Sequence, residues 1–149
     1  MTEVSKAGAS KAPIHLWIVG VVAFLWSAGG AYDYVMTQTQ NAAYMSMFSQ
    51  EQLAFFYGIP SWAIAAWAAG VWGGVFGALL LLFRSRYAEW LFLASLLGVV
   101  VTTFQNYVLS SGMEVMGDAF SLGFTASIFL LALGFYFYAR ALRIQKILN

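Results

Sequence analysis

Four apolar runs, Ile14–Met36, Trp62–Phe83, Ala88–Ser110 and Ala119–Arg140, take up most of this chain of 149 residues. Each is about 22 residues long, close to the roughly 20 that carry a helix across the hydrocarbon of a bilayer. Inside lipid an unpaired backbone N–H or C=O has no water to turn to. The runs are therefore predicted to be helical despite their glycines and β-branched residues. Composition points the same way: 62% of the residues are hydrophobic and 9% are charged, against about 25% charged in a soluble domain. So few charges cannot hydrate a water-facing surface. The expected fold is an all-α integral membrane four-helix bundle, one domain over residues 1–149, with short interfacial helices in the outer loops.

The basic residues orient these spans. Lys6, Lys11, Arg84, Arg86, Arg140, Arg143 and Lys146 lie before the first span, between the second and third, or at and after the end of the fourth. The other two loops hold Glu51, Glu114 and Asp118 and no Lys or Arg, with Asp33 near the same side. The positive-inside rule then places both termini and the Arg84–Glu89 turn in the cytoplasm of a bacterial inner membrane. Lys6 and Lys11 ahead of an apolar run also suggest a signal peptide, with Gly29–Ala31 as its cleavage site. The run is long for such a segment, and a retained span is the expectation.

The short turn between spans 2 and 3 makes them antiparallel neighbours. The 37–61 connection is long enough for structure of its own. Ser49 and Gln52 fit a capping box ahead of Leu53, Phe55, Phe56 and Tyr57, and Gly58 with Pro60 ends that helix. Its aromatic face is expected at the membrane interface, with a lid over the bundle as the alternative. Ser111 and Glu114 repeat the box before span 4.

Lipid gives helices no hydrophobic reason to associate, so small residues mark where backbones meet. Such stripes occur in every span: Ala23, Ser27 and Ala31; Ala66, Gly70 and Gly74, with Gly73 and Gly77 beside them; Ala94, Gly98, Thr102 and Asn106; and Ala119, Gly123 and Ser127. Trp17, Trp62 and Trp90 fall near span ends, as an aromatic belt requires. Trp67 and Trp72 lie deeper and do not share a face.

Asp33, about one turn before the outer end of span 1, is the ionisable group whose depth asks for a reason. Thr102, Gln105 and Asn106 of span 3 occupy the same leaflet. Together with Tyr34 they are expected to form an outer polar pocket in which Asp33 and Asn106 face each other, suited to a hydroxylated ligand or a lipid headgroup. The competing reading is that these groups only hydrogen-bond the helices to one another. Arg84 and Arg86 fit anionic lipid headgroups or topology control. His15, the single histidine, sits at the cytoplasmic start of span 1 and is expected at the interface.

The chain has no cysteine, which excludes disulfides and thiolate metal sites. One histidine cannot hold a bis-histidine haem. There is no nucleophile–base pair, phosphate loop or metal cluster, and Glu114 with Asp118 is at most a surface pair at a helix start. No catalytic residue, metal or cofactor is expected, and no nucleic-acid partner.

At Asp33–Gln38, Glu51-Gln52-Leu53, Pro60-Ser61-Trp62 and Leu81-Leu82-Phe83-Arg84-Ser85-Arg86 the sequence resembles a family of small four-helix bacterial membrane proteins, some labelled "sugar transporter". The resemblance covers spans 1 to 3 and implies a four-helix fold. It does not extend to the three-helix sugar-transporter repeat, because no proline–polar pair lies inside a span. Nor does it extend to four-helix multidrug exporters, whose essential carboxylate lies deep in the first helix. Two functions follow as expectations: a non-enzymatic accessory, scaffolding or lipid-binding subunit, partnered by membrane lipids and by another membrane protein or further copies of itself; or a binder or transporter of a small polar molecule, possibly a sugar, acting as an oligomer.

Overall fold

The computed structural model describes residues 11–149; Lys6, one of the residues that orient the chain, lies outside them. Seven α-helices follow in order: α1 (Ile14–Gln38), α2 (Ala42–Met45), α3 (Gln50–Tyr57), α4 (Ser61–Leu82), α5 (Ala88–Phe104), α6 (Gly112–Met116) and α7 (Ala119–Ile144). A π-helical turn, Gln105–Leu109, extends α5. Four helices, α1, α4, α5 with its π turn, and α7, are long and apolar enough to cross a membrane, so the chain is a multi-pass membrane helical bundle. The Trp17, Trp62 and Trp90 rings are exposed near the helix ends.

The long helices run up and down. Backbones pack closely from α1 to α4, α4 to α5 and α5 to α7. At the α4–α5 contact a Cβ on Gly98 would lie 2.5 Å from the Ala66 carbonyl oxygen, and one on Gly73 would lie 3.0 Å from that of Leu91. Ser95 Oγ donates to the Gly70 carbonyl at 2.5 Å across the same seam. In α1, Ala23, Ser27 and Ala31 are buried, and a Cβ on Gly74 would meet Ser27 Oγ at 2.6 Å. Three of the four small-residue stripes thus mark helix contacts. The fourth does not: Ala119, Gly123 and Ser127 of α7 are exposed, and nothing lies within 4 Å of a Cβ built on Gly123. A small-residue stripe permits close approach, but it needs a neighbour on that side, and α5 takes the opposite face of α7.

Helix ends obey local chemistry. Ser49 is extended (ψ 164°) and forms the predicted capping box. Its Oγ accepts from the Gln52 N–H at 3.2 Å, and its own N–H donates to Gln52 Oε1 at 3.0 Å. The second predicted box is absent. Ser111 has ψ 25°, which turns the hydroxyl away from the N–H groups of α6, and the Glu114 N–H goes to the Ser111 backbone carbonyl. Span 4 is capped instead by Asp118, which accepts from the Ser121 N–H at 3.1 Å and the Ser121 hydroxyl at 2.7 Å. These two donors hold the exposed Asp118 carboxyl below its usual range.

The C-terminal ends of α1, α4 and α7 close alike. Gln40, Arg84 and Lys146 have φ of 52°, 58° and 58°, and the following N–H reaches back to Met36, Leu80 and Leu142 respectively. This is the Schellman arrangement built without glycine. A left-handed L-residue costs roughly 1 kcal/mol, so Gln40→Gly is expected to raise the unfolding midpoint by a few degrees in a thermal melt.

One apolar cluster holds the basic end. Leu16, Ala78, Leu81, Phe92, Phe135 and Leu142 belong to it, as does Leu148 of the tail. There Glu89, 3% exposed, is paired with the half-exposed Arg143 of α7. Arg84 donates from Nε at 3.3 Å and Nη2 at 3.1 Å to the Ile147 carbonyl. Asn149 exchanges backbone hydrogen bonds with Arg84 (2.7 Å) and Arg86 (2.8 Å). The tail is therefore stitched to the α4–α5 turn. Arg86 lies 5.3 Å from the Tyr87 ring centre, and its hydrogen bond lowers the pKa of the exposed Tyr87 phenol.

A candidate ligand cavity at the opposite end

Away from the basic end the bundle is not filled. The long helices border a partly open cavity of about 970 Å³, at the upper end of the roughly 300–1,000 Å³ typical of ligand pockets. It follows α7 from Asp118 to Phe135, about 25 Å at the helical rise. Large side chains make the fourth wall. α1 and α7 meet through His15 and Tyr138, whose Nδ1 and hydroxyl are 2.5 Å apart, and through Trp26 and Phe124, with ring centres 5.8 Å apart.

The linker helices cover the mouth. Phe48, Phe55 and Phe56 line the cavity, with Phe48 edge-on to Phe56 at 5.1 Å. Phe55 and Phe56 of α3 thus face the bundle, as in the lid alternative, while Tyr57 of the same helix is exposed.

Polar groups gather at the same end. Asp33, Thr102 and Asn106 of the predicted pocket all line the cavity, so Asp33 and Asn106 share one space. Gln105 and Tyr34 do not line it. Gln105 is buried elsewhere, and the Tyr34 ring stands edge-on at 5.0 Å against Trp67, which is a lining residue. Ordinary helical spacing accounts for Gln105: Thr102, Thr103, Asn106 and Tyr107 stand at i, i+1, i+4 and i+5 on the lining face, and Gln105 falls about 100° round the helix from Asn106.

Asp33 accepts a short hydrogen bond from the Tyr44 hydroxyl, joining α1 to α2. Burial first, and then the Asp33 carboxylate, push the Tyr44 phenol well above its usual pKa, so Tyr44 remains a proton donor. The Tyr107 hydroxyl lies 3.2 Å from Thr125 Oγ1 of α7 and 3.4 Å from the Met116 carbonyl oxygen. Thr102 donates to the Gly98 carbonyl within its own helix at 2.7 Å.

Asn106 differs from these: its Oδ1 is buried and has no hydrogen-bond partner. A buried acceptor left unpaired costs about 1–3 kcal/mol, and single π turns recur at functional sites. Gly112 packs so tightly on the Asn106 backbone carbonyl that no Cβ would fit, which fixes the π turn from outside. Sequence reasoning missed Tyr44 and Thr125, and left Tyr107 out of the pocket although it placed that residue in the same leaflet as Asp33. It also read Asp118 only beside Glu114, although the Asp-Ala-Phe-Ser pattern before an apolar run was a legible cap signal.

Lys, Arg and His are absent from the cavity lining among the described residues, whereas Asp33 and Asp118 are on it. No three His, Cys, Asp or Glu side chains of those residues come together in a way that would hold a metal ion. Comparison with protein-family models, with curated proteins and with solved structures finds no match to this chain.

Proposed function

We propose that the protein is a non-enzymatic, amphiphile-binding component of a bacterial inner membrane, with both termini cytoplasmic and the cavity in the outer leaflet. The orientation rests on the segregation of basic residues at one end of the bundle. The binding role rests on one observation: a cavity of about 970 Å³ that is polar at its outer end and apolar along its depth. At the outer end are Asp33, Tyr44, Asn106 and Tyr107; deeper, Val71, Val99, Ile128 and Phe135 line it.

An amphiphile satisfies both parts at once, because its head replaces water at the hydrogen-bonding groups while its chain fills apolar space. A sugar-sized solute fits less well. It presents hydroxyls on every side, and the deep lining offers them only the hydroxyls of Ser27 and Ser95, of which Ser95 already donates to Gly70.

The test is native mass spectrometry of protein released from lipid nanodiscs. The wild type is expected to retain an amphiphile, and Ile128→Trp, which narrows the cavity at mid-depth, to hold less of it while keeping its helical signal. Equal retention by the two proteins would refute the reading.

A further inference from the structure

We infer that the head group recognised at the outer end is a phosphate-free amine, a long-chain primary or secondary ammonium. This rests on the amphiphile reading above and specifies its ligand.

Charge comes first. A phosphate or sulfate head needs cationic or multiple N–H donors, and no Lys, Arg or His of the described residues lines the cavity. Among the side chains gathered at its outer end acceptors carry the charge, and the N–H donors are the neutral amides of Asn106 and Gln52. Asp33 takes one hydrogen bond, from Tyr44, and a carboxylate has about four lone-pair sites, so acceptor capacity remains. Asn106 Oδ1 is buried with no partner. Thr102 has spent its proton on Gly98, so its oxygen can only accept.

A protonated amine supplies what these groups lack: several N–H donors on a compact positive charge. A quaternary ammonium would supply the charge but no donor for Asn106. An alcohol would supply one donor but no charge for Asp33. Aromatic faces complete the environment, since Tyr44, Phe48 and Trp67 line the same region and ring faces attract cations.

The experiment titrates dodecylamine, dodecanol, dodecyl sulfate and lyso-phosphatidylethanolamine into the protein in phosphatidylcholine nanodiscs. Ile128→Trp defines the cavity-specific component. Dodecylamine is expected to bind about 10- to 100-fold more tightly than the other three, the range that a charge-assisted hydrogen bond spans. Asp33→Asn, which keeps an acceptor for Tyr44 and is expected to fold, should bring dodecylamine down to the level of dodecanol. Asn106→Leu should weaken both of those probes.

Equal or tighter binding of dodecyl sulfate or of the phospholipid would overturn the inference while leaving amphiphile binding intact. If no probe shows a component removed by Ile128→Trp, the amphiphile reading itself fails. The ranking of the four probes by their cavity-specific components is decisive even if Asp33→Asn or Asn106→Leu does not accumulate.

Discussion

Arg143→Leu is expected to lower the amount of folded protein in the membrane, and Arg143→Leu combined with Glu89→Leu to restore much of it. Glu89 stands in the first turn of α5, 3% exposed, and Arg143 of α7 is its ion-pair partner. Glu89 is buried while Arg143 is half-exposed, so removing the arginine leaves one desolvated, unpaired carboxylate and costs about 1–3 kcal/mol. That is a large share of the roughly 5–15 kcal/mol that holds a typical fold together. The pair as a whole is worth far less than its breakage suggests, because replacing both charges with apolar groups is often close to neutral. The comparison uses membrane-inserted yield and the thermal midpoint of the purified protein. A single variant as stable as the wild type would mean that Glu89 finds another partner. A double variant as poor as the single one would mean that Arg143 acts through something other than Glu89.

Two glycines in equivalent chemical settings are expected to respond in opposite directions. Gly98→Ala should lower stability by about 1–3 kcal/mol or more, since its Cβ would fall 2.5 Å from both the Ala66 oxygen and the Gly70 nitrogen. Both obstacles are backbone, so relief requires α4 and α5 to separate. Gly123→Ala should be neutral or stabilising by up to about 1 kcal/mol, the ordinary gain of alanine over glycine within a helix, because no atom lies within 4 Å of the added carbon. Midpoints from thermal unfolding in one detergent decide the matter. A large loss at Gly123→Ala would show that its face is covered by another protein, and a harmless Gly98→Ala would show that the α4–α5 seam is looser than its geometry.

That contrast also shows what the sequence could reveal. The spans were legible because lipid imposes a single rule on every backbone group, and a run of about 20 apolar residues has few other ways to obey it. The Ser49 cap was legible because its geometry is local to four residues. The α7 stripe was misleading because Ala119, Gly123 and Ser127 record what a surface permits, and which side of a helix meets its neighbour is decided by the other three helices. Asp33 and Asn106 were legible as deep polar groups. Tyr44 was not, since no periodicity links it to Asp33 across the reversal at Gln40. Gln105 was misplaced because it was grouped by depth with Thr102 and Asn106, although it stands about 100° round the helix from Asn106.

The same bundle is stiff at one end and compliant at the other. Phe135, Ala139 and Leu142 root α7 in the core at its basic end, where Arg143 and the tail add polar ties. Beyond Ala132, α7 contributes no buried residue, and its links across the open end are side-chain contacts such as Trp26–Phe124 and Tyr107–Thr125. Mechanically α7 is a cantilever. Deflecting its free half breaks a few surface contacts and leaves the core whole, so its opening belongs to the low-energy fluctuations of the fold and not to its unfolding. If the proposed binding role holds, a membrane-dissolved molecule would exchange with the interior sideways, through the α1–α7 seam, at a rate uncoupled from the stability of the protein that holds it.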